Sequence, residues 1–295
     1  MKWLHLLLAI FCLTQLASAE LVRDEPLSLD KGVEVRRWTY RSHRYLVKGL
    51  LFVPATPVGS KRPVVVFSHD GISGISKEHR LSCLRLAKAG YVVFAPSYRG
   101  EDGSQGMVEV AKGEVDDVLH AVELLTEVVE ADTQRVALAG ASHGALISFL
   151  AASRNPKIKA VICAYGVMDI YKWWDYLKSS GKVGRDEVTR RTYGDGPKSR
   201  PESFAIRNAL SVVDSIQCPV LVLQGKKDDI VPYQQALYLQ EAMQKAGKSC
   251  EVELYPDCLH GFLVYAPFLR DVTQAERKQT EESWRTMLAF LRQNL

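Results

Sequence analysis

The chain has 295 residues, 47% hydrophobic and 24% charged, with 38 basic and 34 acidic side chains and a formal net charge of +4. That composition excludes a disordered chain, a collagen-like fibre and a polytopic membrane protein. So small a basic excess does not point to nucleic acid, and the length fits one large domain or two small ones.

Met1-Lys2 is a short positive region, and Trp3 to Leu16 is almost unbroken apolar sequence. Ala17-Ser18-Ala19 then has the A-x-A spacing of a cleavage site. Residues 1–19 are therefore expected to be a signal peptide, with Glu20 as the mature N-terminus and a secreted or periplasmic location. The competing expectation is a buried N-terminal helix. The apolar run is too short to span a bilayer, so no stable membrane insertion is expected after cleavage. Cys83, Cys163, Cys218, Cys250 and Cys258 lie beyond the signal, in a chain bound for an oxidising compartment. Cys218 and Cys250 precede two candidate strands. A bridge between them is one expectation, and buried reduced thiols are the other. No His/Cys cluster has zinc-ligand spacing.

Val33–Tyr40 and Tyr45–Pro54 alternate as an antiparallel pair would, which puts the first strand about a dozen residues after Glu20. Pro63–Phe67 is a continuous apolar run, as expected of a strand buried on both faces. Glu78–Ala89 has helical periodicity and stops at Gly90. Tyr91–Ala95 is a second buried strand, followed by a glycine-rich loop over Arg99–Gly106. Glu114–Val129 is expected to be helical, with Val115, Val118, Ala121, Val122 and Leu125 on one stripe. Strand Arg135–Ala139, helix Ser142–Ala152 and strand Ile158–Tyr165 follow. Residues 166–216 break the rhythm. Strand Val220–Leu223, helix Tyr233–Ala246, strand Cys250–Tyr255 and a long helix around Glu276–Arg292 complete the chain. The alternation predicts an α/β fold, a mostly parallel central sheet flanked by helices. Residues 20–295 form one domain in this reading, with 166–216 inserted as a lid after the sixth strand. Ligands of such sheets bind beyond the carboxyl ends of the strands.

Gly140-Ala-Ser142-His-Gly144 sits between a buried strand and a small-residue helix, which is the context that gives G-x-S-x-G its meaning. A sharp turn there lifts the Ser142 hydroxyl to the edge of the sheet, at a helix N-terminus that favours negative charge. A serine hydroxyl needs a base, and the base needs an orienting acid. Gly225-Lys-Lys-Asp228-Asp229-Ile-Val-Pro232 follows one strand, and Tyr255-Pro-Asp-Cys-Leu-His260-Gly-Phe262 follows the next. His260 is the expected base. His143, beside the nucleophile, is better placed for loop packing. Asp257 precedes His260 in its own loop and competes as the acid.

Taken together, Ser142, Gly225-x-x-Asp228-x-x-Val231-Pro232 and His260-Gly-Phe resemble the catalytic domain of the prolyl oligopeptidase-like α/β-hydrolases and their dienelactone hydrolase and acyl-esterase relatives. Tyr98-Arg99-Gly100, Gly113-Glu-Val-Asp116-Asp117-Val and Ile216-x-Cys-Pro-Val220 add to the likeness, which covers about residues 33–293. The resemblance implies an α/β-hydrolase fold and selects Asp228 over Asp229 as the acid. One oxyanion donor is the amide of His143. The other comes from the loop after Pro63–Phe67, where relatives carry His-Gly-Gly or a donating Tyr. This chain has His69-Asp70-Gly71-Ile72 there, so the amide of Gly71 or Ile72 is the expected donor. The Asp70 carboxylate is then expected either to point outward or to pair with a cation such as Arg99.

The inserted segment should lie over the site. Tyr171, Trp173, Trp174 and Tyr176 form either an aromatic wall for substrate or the lid's own packing. His69 and Tyr98 are further candidate substrate contacts. Lys182, Arg185, Arg190, Arg191, Lys198 and Arg200 could attract an anionic substrate, against the plainer expectation of a solvated face. The expected function is that of a serine hydrolase cleaving small carboxylic esters through an acyl-enzyme, without metal or organic cofactor. A peptidase acting on short peptides is the first alternative, weakened by the missing Tyr donor and by too little chain before the first strand for a propeller. A non-catalytic ligand-binding relative is the second. Neither a nucleic-acid partner nor a particular oligomeric state is implied.

Overall fold

The computed structural model describes residues 19–295 except 56, 58, 184, 185 and 270. The expected signal peptide, Ala19 apart, lies outside the described residues, and so does Arg185. Three antiparallel strands come first: β1 (Glu20–Asp30), β2 (Val33–Ser42) and β3 (Tyr45–Pro54). The alternating core follows as β4 (Arg62–Ser68), α1 (Lys77–Lys88), β5 (Val92–Pro96), α2 (Gly113–Leu124), β6 (Ala131–Ala141), α3 (His143–Arg154) and β7 (Ala160–Ala164). After β7 come three short helices, α4 (Ile170–Ser179), α5 (Glu187–Tyr193) and α6 (Pro201–Ala205), and a 3-10 stretch over Ala209–Ser215. The chain closes with β8 (Val220–Gly225), α7 (Gln234–Lys245), β9 (Cys250–Tyr255), α8 (Phe262–Tyr265) and α9 (Gln274–Asn294).

Among the described residues these strands form one sheet in the order β1-β2-β3-β5-β4-β6-β7-β8-β9. β3 pairs antiparallel with β5, and every later neighbour is parallel. The period of two along each strand sends alternate side chains to opposite layers. Val64 and Val66 of β4 face a layer built by Val115 of α2, Leu146 of α3 and Leu239 of α7. Val65 and Phe67 face the other, built by Leu86 of α1, Phe262 of α8 and Trp284 of α9. The fold is thus the expected α/β fold, a mostly parallel sheet with helices on both faces.

Four features differ from expectation. β1 is a strand where none was expected, so the first strand starts at Glu20 and the insertion follows the seventh strand. β1 is an edge strand paired only with β2, its register broken by two irregularities and its sequence carrying Pro26. Exposed on both faces for most of its length, it has no apolar alternation to reveal it. The helix expected to run to Val129 ends at Leu124 and tightens into a 3-10 turn over Leu125–Glu127. β6 begins four residues before the expected Arg135. All five described cysteines are free thiols, so Cys218 and Cys250 are not bridged.

Candidate active site

The carboxyl ends of β4, β6, β8 and β9 lie side by side or nearly so, and each feeds one loop of the site. At the end of β6 the chain turns sharply, and Ser142 is held at φ 50°. The two glycines of the motif make this turn by close approach. A Cβ on Gly140 would lie 2.1 Å from the Gly144 carbonyl oxygen, and one on Gly144 would lie 2.1 Å from that of Ser68. The Ser142 amide donates to Ala164 O at 2.8 Å, tying the turn to β7.

The structure brings three of the expected residues into one hydrogen-bonded chain. His260 Nδ1 lies 2.8 Å from Asp228 Oδ2, and His260 Nε2 lies 3.0 Å from Ser142 Oγ. A carboxylate can only accept, so Nδ1 carries the proton and Nε2 is free to accept from the serine hydroxyl. Asp228 also accepts from the Ile230 and Val231 amides at 2.9 and 2.8 Å and from Gln224 Nε2 at 3.1 Å. Its side chain is fully buried. The competitors lie elsewhere: the Asp229 side chain is 76% exposed, and Asp257 is bound by Lys227 and Gln279. The Tyr165 ring packs edge-on against His260, with centroids 5.0 Å apart.

The loop after β4 lies against this elbow. His143 Nδ1 donates to the carbonyl of Gly71 at 3.0 Å, so the His143 side chain faces the loop and not Ser142 Oγ. Gly71 has φ +67°, a conformation glycine adopts without strain. The His143 amide is the first of α3, and first-turn amides have no partner within their helix. Burial of the imidazole lowers its pKa.

Asp70 does not pair with Arg99. Its Oδ1 accepts from His79 Nε2 at 2.9 Å and from the Tyr265 hydroxyl at 2.5 Å. His79 is fixed as that donor because its Nδ1 accepts the Ser76 amide in the capping box of α1. Burial alone would raise Asp70, but the hydrogen bonds from His79 and Tyr265 hold it below the usual carboxylate value. Arg99 instead binds Asp117 at 2.8 Å and Glu109 at 2.9 Å.

Several expected substrate contacts are inaccessible. His69 and Tyr98 are fully buried and packed on one another, ring centroids 4.3 Å apart. Trp174 is 3% exposed in a small cluster with Ile170, Leu177, Tyr193 and Phe204. Trp173 donates through Nε1 to Ile230 O at 3.1 Å, and the Tyr176 hydroxyl donates to Asp229 O. The segment after β7 is thereby fastened to the loop that carries Asp228. Tyr171 stays 38% exposed and rests on Phe204.

Sequence reasoning named Ile72 for its amide alone and missed Ile230 and Leu259, chain neighbours of the acid and the base. Ile72, Ile230 and Leu259 are 37%, 47% and 50% exposed, and each sits beside an oxyanion-loop or triad position. The available signal was an apolar residue in a loop with no helix or strand face to bury it. A cavity of about 290 Å³ beside His260 is lined by Leu259, Phe262, Tyr265 and Leu269 together with the acidic Asp271 and Glu276. A separate cavity of about 680 Å³ lies between Met107–Lys112 and Arg191–Arg207 and touches none of the three hydrogen-bonded residues.

The family model for the dienelactone hydrolase family matches residues 47–295. A curated relative, the "uncharacterized peptidase YtmA" of Bacillus subtilis strain 168, is 29% identical over 77% of this chain and 87% of its own. Among solved structures, Pyrococcus horikoshii acylaminoacyl peptidase superposes with a TM-score of 0.74 at 20% identity, over 90% of this chain and 42% of that one. Acetyl xylan esterase 1 from Thermoanaerobacterium sp. JW/SL YS485 gives 0.70 at 18% identity, over 91% and 87%. At such identities the two structures speak for a shared fold.

Proposed function

The chain belongs to the dienelactone hydrolase family, and on that premise we propose that it is a serine hydrolase that cleaves carboxylic esters through an acyl-enzyme on Ser142. The observation that carries this reading is the hydrogen-bonded chain from Ser142 through His260 to Asp228. In the first step Ser142 Oγ attacks the ester carbonyl while His260 Nε2 takes the hydroxyl proton. Asp228 keeps the imidazole in the required tautomer and stabilises its positive form. The tetrahedral oxyanion is met by the His143 amide and by the Gly71 or Ile72 amide. His260 then hands its proton to the departing alkoxide, and water repeats the sequence to release the acid.

The substrate is a small ester. The cavity beside His260, about 290 Å³, has room for a short group, with Leu259, Phe262 and Leu269 offering apolar contacts beside the carboxylates of Asp271 and Glu276. Peptide cleavage is the second reading, favoured by the relative named as a peptidase. An ester is favoured because His69 stands where peptidase relatives carry a donating tyrosine and because an alkoxide leaves more readily than an amine. The A-x-A site at Ala17–Ala19 further supports export, with a mature chain starting at Glu20.

The test is hydrolysis of matched p-nitrophenyl esters and aminoacyl p-nitroanilides by the chain from Glu20 and by its Ser142→Ala variant. Ester turnover lost in the variant is expected. Comparable anilide turnover would move the assignment to the peptidases, and equal turnover in the variant would refute the role of Ser142.

A further inference from the structure

Glu101 has no part in the reaction above, yet its side chain is 1% exposed beside the oxyanion loop. Its Oε2 accepts the Gly74 amide at 2.5 Å and faces His69 Nε2 at 3.4 Å. His69 Nδ1 lies 2.8 Å from the Asp70 carbonyl and must carry a hydrogen to bond there. Nε2 of the neutral ring therefore turns a lone pair toward the carboxylate. Neither His69 Nε2 nor Glu101 Oε1 has a hydrogen-bond partner among the described residues. Such a pair is stable only with one proton between its members.

The surroundings decide where that proton sits. Burial pushes His69 down to about 4, against the Asp70 carbonyl and with the help of His79 and His143. Burial pushes Glu101 up to about 8, opposed by the Gly74 amide and reinforced by Glu114 and Asp102. At neutral pH the proton resides on Glu101 and points at His69.

We infer that Glu101 is a positioning residue for the oxyanion loop, which it holds against the Ser142 elbow by sharing one proton with His69 and accepting the Gly74 amide. The inference rests on the serine hydrolase reading. Loss of that proton leaves a bare carboxylate facing a lone pair and loosens residues 69–74, which carry the second oxyanion donor. The groups around this pair are Asp70 from the loop after β4, His79 from α1, Tyr98 and Asp102 from the loop after β5, Glu114 from α2 and His143 from α3. Burial keeps His143 below the ordinary histidine value and Tyr98 above that of tyrosine. Glu101 is the group whose shift brings it to the alkaline side of neutrality.

The experiment is kcat and KM for a p-nitrophenyl ester from pH 6 to 9.5 in the wild type, Glu101→Gln, Glu101→Ala and Ser142→Ala. Removing an oxyanion donor outright costs about 10²–10³-fold, and a displaced one is expected to cost about tenfold. Wild-type kcat should fall about tenfold above pH 8 with KM nearly constant. In Glu101→Gln the side chain stays uncharged at every pH, and its carbonyl oxygen still accepts the Gly74 amide. That variant should keep its neutral activity and lose the alkaline fall, while Glu101→Ala should be about tenfold slower at every pH. A wild-type profile flat to pH 9.5, which needs no variant to fold, would overturn the inference. So would an unchanged alkaline fall in Glu101→Gln. Turnover surviving in Ser142→Ala would overturn the serine reading and this inference with it.

Discussion

Gln224, the penultimate residue of β8, donates through Nε2 to Asp228 Oδ2 at 3.1 Å and to the Val231 carbonyl at 3.1 Å. One buried carboxamide thus closes the turn that carries the acid onto the strand that launches it. Asp228 Oδ2 is also the oxygen that faces His260. Gln224 therefore fixes the aim of the carboxylate without reaching the serine. Gln224→Leu keeps the volume and removes both bonds, leaving the Val231 carbonyl unpaired. The expected result is a stability loss of about 1–3 kcal/mol, with kcat reduced and KM for the ester nearly constant. Urea unfolding and steady-state kinetics check this; an unchanged kcat would mean that Asp228 holds its aim through the Ile230 and Val231 amides alone.

Asp70 ties the oxyanion loop to α1 through His79 and to α8 through Tyr265. Asp70→Ala strands both donors, at an expected cost of about 1–3 kcal/mol. The folded protein holds this carboxyl below its ordinary pKa. Its stabilisation is therefore complete above that ordinary value and is lost as pH falls through the folded one. The stability gap between wild type and Asp70→Ala, measured by urea unfolding, should be full at pH 7 and shrink toward pH 3. An equal gap at both pH values would contradict the assignment.

Trp174 anchors the segment after β7 through Tyr193 and Phe204, at centroid distances of 6.0 and 5.4 Å. Trp174→Ala empties the centre of a cluster of only five buried residues. Such truncations cost about 3–5 kcal/mol where the surroundings cannot collapse. Limited proteolysis should cut the variant within residues 180–200 much faster than the wild type. Equal cleavage rates would show that this cluster does not hold the segment in place.

The five cysteines of the chain from Glu20 should all titrate as thiols in denaturant, with and without reductant, since each is free in the structure. A difference of two thiols between the conditions would restore the Cys218–Cys250 bridge.

The sheet from β4 to β9 could be read from sequence because its central strands are buried on both faces and appear as short unbroken apolar runs. β1 could not, because an exposed edge strand carries no such pattern. The strand-end positions of Ser142 and Asp228 were legible because each follows such a run, and that of His260 because it follows the alternating edge strand β9. The pairings around them were not. Asp70 meets Tyr265 across 195 positions, and Gln224 is an ordinary strand residue until the turn beyond it folds back. The aromatic run at 171–176 announced itself by composition, which does not say which rings face inward. Burial placed Trp174 in the segment's own core and left Tyr171 partly open.

The most direct test of the central claim is covalent. The chain from Glu20 should be treated with a fluorophosphonate and mapped by peptide mass spectrometry. The account predicts one stoichiometric adduct on Ser142, lost in Ser142→Ala and slowed by about 10⁴-fold or more in His260→Ala, as expected when a nucleophile loses its base. Ester turnover without an adduct on Ser142, or with labelling undiminished in His260→Ala, would contradict it.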